Sequence, residues 1–407
     1  MKRHYEKVIC ACCFLILFVN IGLPSTSFSV FQPYIVSVPG VGDTGGSIVL
    51  AVRTGTSLLS MLFVNAYYQK LNTRRGAFVA SLLVALGFIL FSQAGSLGGF
   101  CLAAVFTGMG YGLGGMVATT TIISRWYNGH VGRAVGIAAV GSGVAGMAIP
   151  AIMAAVIETS SLSVAFAVDA GIALVIGSIT FLFMRNTPDE MGLEPFEGKP
   201  VDPAKQRAVV HLEEPLPRRL YALMLVAMVM LGSVSIDAMG YFSVLLVSEG
   251  IDRIFAAALI SLIGACLTLS KAASGVMFDK MGTCNASMVF FGLLIVGLGL
   301  TVVAALGCNS AVATLAAVLL GLGVTLGTVG ISVWSLELST AEERARTVRG
   351  FQMGYTLGGF IFNIVPGVLK DLTGTYITAY VILFAFGVAC AVIVISVYNR
   401  YVRPARG

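Results

Sequence analysis

Apolar runs of about 20 residues recur from one end of the chain to the other, and this limits the fold more than any motif does. A helix rises about 1.5 Å per residue, so roughly 20 residues cover the ~30 Å hydrocarbon core of a bilayer. Twelve spans are predicted, at residues 8–36, 46–68, 77–93, 98–124, 134–157, 162–184, 220–247, 254–278, 286–307, 311–335, 348–369 and 376–398. Only 11% of the 407 residues are charged and 57% are hydrophobic. A soluble domain carries about 25% charged residues. The chain cannot clothe a water-soluble surface, which excludes a cytosolic enzyme, a disordered protein and a nucleic-acid binder. The expected fold class is all-α integral membrane.

The connectors between spans are short and polar, with one exception. Residues 185–219 hold six prolines and dense charge, including Asp189-Glu190 and Arg218-Arg219. They are expected to form a linker between a bundle over residues 1–184 and a bundle over residues 220–407. Cations mark the cytoplasmic side of a membrane protein. Of the 25 Lys and Arg residues, 21 fall at the termini, in the linker or in even-numbered loops. They include Lys2, Arg3, Lys7, Lys70, Arg74, Arg75, Arg125, Arg133, Lys280, Arg344, Arg346, Arg349, Arg403 and Arg406. Only Arg253 and Lys370 fall on the other side. Both termini and the linker are therefore expected in the cytoplasm. The net charge of +6 reads as an insertion signal, with no polyanionic partner implied. Span 1 follows a basic stretch, as a signal peptide does, but lacks a small-residue cleavage site before Pro24 and is read as retained.

Two apparent motifs are set aside. Cys10, Cys12 and Cys13 have no His or carboxylate within their span, so membrane cysteines are expected rather than a metal site. Residues 141–146 fit the dinucleotide fingerprint GxGxxG, but inside an apolar span and with no strand before it. These glycines, with Gly108, Gly110, Gly112, Gly114 and Gly115 of span 4 and Gly321, Gly323 and Gly327 of span 10, are expected to let helix backbones approach closely.

Ionisable groups inside a span are costly and usually face a watery cavity or a partner. Four stand out. Arg53 in span 2 and Asp169 in span 6 each lie about 10 Å below the outer end of their span. Arg53 either pairs with Asp169 or projects into a central cavity and binds an anion. Lys271 lies one turn above the cytoplasmic end of span 8; it either snorkels to the interface or binds an anion. Asp237 in span 7 is a proton-coupling candidate or a static partner of Lys271 or of a neighbouring backbone group. No catalytic set is present: His4, His130 and His211 are scattered in loops or the terminus, and HExxH, GxSxG and Walker motifs are absent. No enzyme activity and no cofactor are expected.

Residues 275–282, from Gly275 through Asp279 and Lys280 to Gly282, resemble the GxxxD(R/K)xG loop of the major facilitator superfamily. The equivalent loop between spans 2 and 3 has Asn65, Gln69 and Asn72 where Gly, Asp and Gly stand in the motif, so a weak latch is expected there. Arg125-Trp126-Tyr127 followed by residues 132–138, which include Arg133, resembles the monocarboxylate and oxalate–formate porter branch. So do residues 186–195, and residues 367–376, which match GxLxDxTGxY. The resemblance covers all twelve spans. It implies that Lys271 occupies the position of the substrate-binding cation, usually Arg, four residues before the motif Gly. It implies gating roles for Gly275, Asp279, Lys280, Gly282, Arg125 and Arg133. The chain departs from the branch at Leu267, which replaces an acid, and in span 1, which lacks the Lys. These departures weigh against lactate-type proton symport.

The expected architecture is two pseudo-symmetric six-helix bundles working by alternating access. The expected function is transport of a small organic anion, a mono- or dicarboxylate, with a proton or second anion exchanged or co-transported. Arg53 and Lys271 would supply the charge, with Thr26, Ser27, Gln32 and Tyr241 as further polar contacts. The alternatives are a proton-coupled exporter of amphipathic or cationic compounds and a metabolite receptor. The expected setting is the cell membrane, as a functional monomer, with the lipid bilayer as its other partner.

Overall fold

The computed structural model of the chain describes residues 4–128, 131–197, 216–340 and 342–402. Lys2, Arg3, Arg403, Arg406 and His130 lie outside these residues, as do positions 198–215 of the predicted linker and the side chains of Arg133, Asp279 and Arg344. Among the described residues the fold is all-α apart from one two-residue parallel bridge, which pairs Tyr127 with Phe196 and Asn128 with Glu197.

Among the described residues, eleven helical segments are long and apolar enough to cross a bilayer. They are Tyr5–Val30, Gly42–Leu62, Val64–Gln93, Leu97–Trp126, Ala134–Thr159, Leu162–Phe183, Arg218–Gly240, Arg253–Phe278, Thr283–Gly307, Ser310–Glu337 and Ile377–Tyr401, which are spans 1 to 10 and span 12; Val64–Gln93 is two helices joined across a kink at Asn72, and the turn around Asn72 is the loop between spans 2 and 3. Span 11 is two helices, Arg344–Phe362 and Val365–Thr373. It breaks where Pro366 follows within the first turn of the second piece, because proline has no N–H to continue the ladder.

The chain divides into two compact units, Met1–Pro203 and Ala204–Gly407. In the first, span 3 packs on spans 4 and 6, span 2 on span 4, and span 1 on span 5. In the second, span 9 packs on spans 10 and 12, span 8 on span 10, and span 7 on span 11. Adding six to each pair in the first unit yields the pairs of the second. The helix breaks follow a pattern as well. Span 1 widens to a π-type turn over Phe18–Thr26, span 4 breaks at Gly115, span 7 at Tyr241, and span 10 tightens at Val324–Gly327. Spans 1, 4, 7 and 10 are the first members of successive groups of three.

Small residues bring the backbones together, as expected for packing in lipid. Gly141, from the rejected fingerprint, lies against the Phe14 carbonyl of span 1. Gly232 of span 7 lies against the Tyr355 carbonyl of span 11, and Gly358 answers against the Val229 carbonyl.

The first part of the predicted linker is not free. Asn186 donates from its backbone N and Nδ2 to Glu190 (3.1 and 2.7 Å) and accepts from the Arg74 N–H at 2.9 Å. Gly192 then closes the turn at φ 67°, and the Phe196 ring reaches Tyr127 at 5.7 Å. Residues 186–197 therefore belong to the first unit.

Candidate functional site

In the first unit the site is built around the interrupted span 1. Pro24 sits inside the π-type turn, where its missing N–H and its ring prevent a regular helix. The Gly22 carbonyl accepts from the Ser27 N–H and from Ser27 Oγ, both at 2.9 Å. Thr26 Oγ1 lies 2.9 Å from the same carbonyl and 3.0 Å from the Ser142 carbonyl of span 5. Both hydroxyls thus hold the bend. Beyond it the chain turns through Phe28–Val30 and Gln32–Ile35.

That turn carries an aromatic cluster. Phe31 meets Phe166 of span 6 at 4.4 Å, and Phe28 meets Phe91 of span 3 at 5.3 Å. Phe91 and Phe166 stack at 5.1 Å. The Arg53 guanidinium lies over the Phe28 ring, 5.1 Å from its centroid. A cation over a ring face is held by the ring quadrupole, more strongly when desolvated, and Arg53 is 6% exposed. Span 2 starts at Gly42, earlier than predicted, so Arg53 is roughly 16 Å along it and near its middle.

Asp169 is on span 6, one turn from Phe166, and is fully buried. Neither of its carboxylate oxygens has a hydrogen-bond partner among the described residues. The ion pair with Arg53 is therefore not formed. Gln32 is also fully buried with both amide atoms unpartnered, and it lies against Gly46 of span 2.

Asn20 was missed in the sequence, although a polar amide within an apolar run signals a partner. It is fully buried. Its Nδ2 donates to Ser81 Oγ of span 3 at 3.1 Å and to the Ile16 carbonyl at 3.0 Å, and its amide packs on Gly114 of span 4. It ties three spans together at the bend. The aromatic cluster was missed because Phe28, Phe91 and Phe166 are distant in sequence and ordinary in an apolar run.

In the second unit, span 8 runs on to Met281, past its predicted end. Lys271 is therefore roughly 15 Å from that helix end. Lys271 is half-buried and is not in an ion pair with Asp237. Asp237 is fully buried in span 7 beside Tyr380 of span 12. The Tyr241 hydroxyl donates to the Asn363 carbonyl at 2.5 Å, where span 11 breaks. It joins the breaks in spans 7 and 11.

The residues of the loop motif differ in what they touch. A Cβ built at Gly275 would meet none of the described residues within 4 Å. Gly282 takes φ 78° and ψ 156° to end span 8 and start span 9, and Lys280 is exposed. In the first unit Arg125 Nη1 donates to Thr73 Oγ1 at 2.9 Å, which ties span 4 to the loop between spans 2 and 3. At the end of span 10, buried Glu337 accepts from Thr283 Oγ1 (2.7 Å) and the Tyr398 hydroxyl (3.2 Å). In residues 367–376, Gly374 adopts φ 80° to close span 11, and Lys370 Nζ donates to its carbonyl at 2.7 Å. Among the described residues no group of three His, Cys, Asp or Glu is placed to hold a metal.

Two repeated bundles of membrane-spanning helices, with breaks at corresponding spans and charged side chains buried within them, define a multi-pass membrane transporter. Residues 11–362 match the model of the Major Facilitator Superfamily, and the chain belongs to that family. A search of curated proteins found no sequence match. Among solved structures, the nucleoside transporter NupG is 15% identical with a TM-score of 0.68, over 98% of this chain and 100% of that one. A POT family transporter in complex with 5-aminolevulinic acid is 13% identical with a TM-score of 0.75, over 97% and 96%. A D-xylose–proton symporter is 12% identical with a TM-score of 0.74, over 97% of each chain. At these identities the likeness is one of fold.

Proposed function

We propose that the protein moves a small organic anion, a mono- or dicarboxylate, across the cell membrane by alternating access, with both termini in the cytoplasm. The observation that carries this reading is Arg53, a cation buried mid-span over the face of Phe28. A charge held at that depth is costly, and an anionic substrate is a natural counterpart. Lys271 is the corresponding cation of the second unit. It keeps a charge but, lacking a planar fork, recognises a carboxylate less specifically than Arg does. The ligand of the POT family structure, 5-aminolevulinic acid, carries a carboxylate, which agrees with such a substrate on this fold. Gln32, buried with an unpartnered amide, is the best of the polar contacts. Thr26, Ser27 and Tyr241 act through the bends that they hold. Asp279, Lys280, Gly282, Arg125 and Arg133 are proposed to gate the cytoplasmic side, and the porter branch resembled by residues 125–138 is the proposed lineage.

The test is uptake into proteoliposomes from a panel of carboxylates, with and without a pH gradient. Saturable uptake that falls at least tenfold in Arg53→Gln and in Lys271→Gln supports the reading. No carboxylate transported or competing sinks it. The rival exporter of amphipathic or cationic compounds predicts the reverse pattern, with both cation variants active and Asp237→Asn inactive.

A further inference from the structure

The first unit also holds a basic cavity that the transport reading does not use. It has a volume of about 250 Å³ and is lined by Asn72, Arg74, Arg75, Phe181 and Asn186. It lies where the loop between spans 2 and 3 meets the end of span 6. The N-terminal helix begins at the same level, since the Tyr5 hydroxyl donates to the Phe183 carbonyl at 2.5 Å. The positive-inside rule assigns this face to the cytoplasm.

The arginines there are more than topology signals. Arg74 is half-buried and fixed: its Nε donates to the Phe181 carbonyl at 2.6 Å, and its guanidinium lies 4.3 Å from the Phe181 ring centroid. Its remaining guanidinium N–H groups have no partner among the described residues. Arg75 is exposed and likewise makes no hydrogen bond or ion pair among them. Glu190 accepts from Asn186 with both oxygens and forms no ion pair with either arginine among the described residues. Two guanidinium groups, one of them locked in place, therefore share a small polar cavity at the membrane surface. The volume is below the ~300–1,000 Å³ of pockets that enclose whole small molecules, and it suits a headgroup. Guanidinium groups match the geometry of phosphate oxygens, and basic pockets at the cytoplasmic ends of membrane helices attract anionic headgroups.

We propose that this cavity binds a phosphate group, presented either by an anionic phospholipid of the surrounding leaflet or by free phosphate. The experiment uses the full chain, purified in detergent, and native mass spectrometry with added phosphatidylglycerol, phosphatidylcholine or inorganic phosphate. Phosphatidylglycerol is expected to be retained over phosphatidylcholine. Arg74→Gln/Arg75→Gln should weaken retention by roughly 30-fold, and Arg75→Gln alone, whose side chain is exposed, by roughly 5-fold. The exposed pair Arg218 and Arg219, changed to Gln together, controls for diffuse surface charge. Phosphate that binds alone and competes with the lipid identifies the free ion as a ligand. Phosphate that does neither, while the lipid binds, identifies the lipid. Equal retention of both lipids with no phosphate bound overturns the proposal. So does an Arg75 variant that retains as much lipid as the unaltered protein, or a control pair that loses as much as the cavity pair.

Discussion

Asn72 and Gly282 hold the same unusual backbone at equivalent turns of the two units, with φ 61° and ψ 166° at Asn72 and φ 78° and ψ 156° at Gly282. Each residue stands at the final glycine position of its GxxxD(R/K)xG loop, and each ends one helix piece as the next begins. Glycine adopts this region freely; a residue with a Cβ is strained there by about 1–3 kcal/mol. Asn72→Gly is therefore expected to stabilise the protein by about 1 kcal/mol, and Gly282→Val to destabilise it by about 1–3 kcal/mol. Thermal unfolding of the purified variants checks both, and a lower midpoint for Asn72→Gly contradicts the account.

Two glycines should respond in opposite ways. A Cβ at Gly232 would collide with the Tyr355 carbonyl, whereas one at Gly275 meets nothing within 4 Å. Gly232→Ala should force spans 7 and 11 apart and cost about 1–3 kcal/mol. Gly275→Ala, although it alters the family motif, should change stability by no more than about 0.5 kcal/mol. Comparing the two melting midpoints in one detergent decides the matter.

Arg53 and Phe28 should act as a pair on transport. Arg53→Lys keeps the charge but loses the planar stack, and Phe28→Leu removes the ring. Once a transported anion is in hand, each is expected to raise KM several-fold, and the double variant little further, because both remove one contact. Strictly additive effects would mean that the ring does not position the guanidinium.

Asp169 is fully buried with neither oxygen partnered, and burial of an unpaired charge is costly. Asp169→Asn should leave the melting midpoint unchanged or raise it near neutral pH. A clear fall would mean that the carboxylate makes a stabilising interaction.

What was legible in the sequence was set by local physics. A span is recognised by apolar length, so neighbours in the chain suffice. The breaks at Pro24 and Gly115 also carry local signals. Helix ends were less legible: spans 2 and 8 run beyond their predicted limits because polar residues such as Asp43 and Lys280 are tolerated where a helix leaves the hydrocarbon. That extension leaves Arg53 and Lys271 farther from their helix ends than expected.

The amino-acid sequence by itself determined that this chain enters a membrane as repeated helices, and which few charges must be buried there. Only the tertiary structure decided what those groups meet. Arg53 faces Phe28 and not Asp169, Tyr241 is anchored to Asn363, and Arg74 is locked against Phe181 at the edge of a basic cavity. Each of these pairs joins positions far apart in sequence. Hydrophobicity and charge placement put a helix in the bilayer, but a contact between side chains depends on how helices rotate and pack, and close packing of small residues settles that only in the assembled bundle.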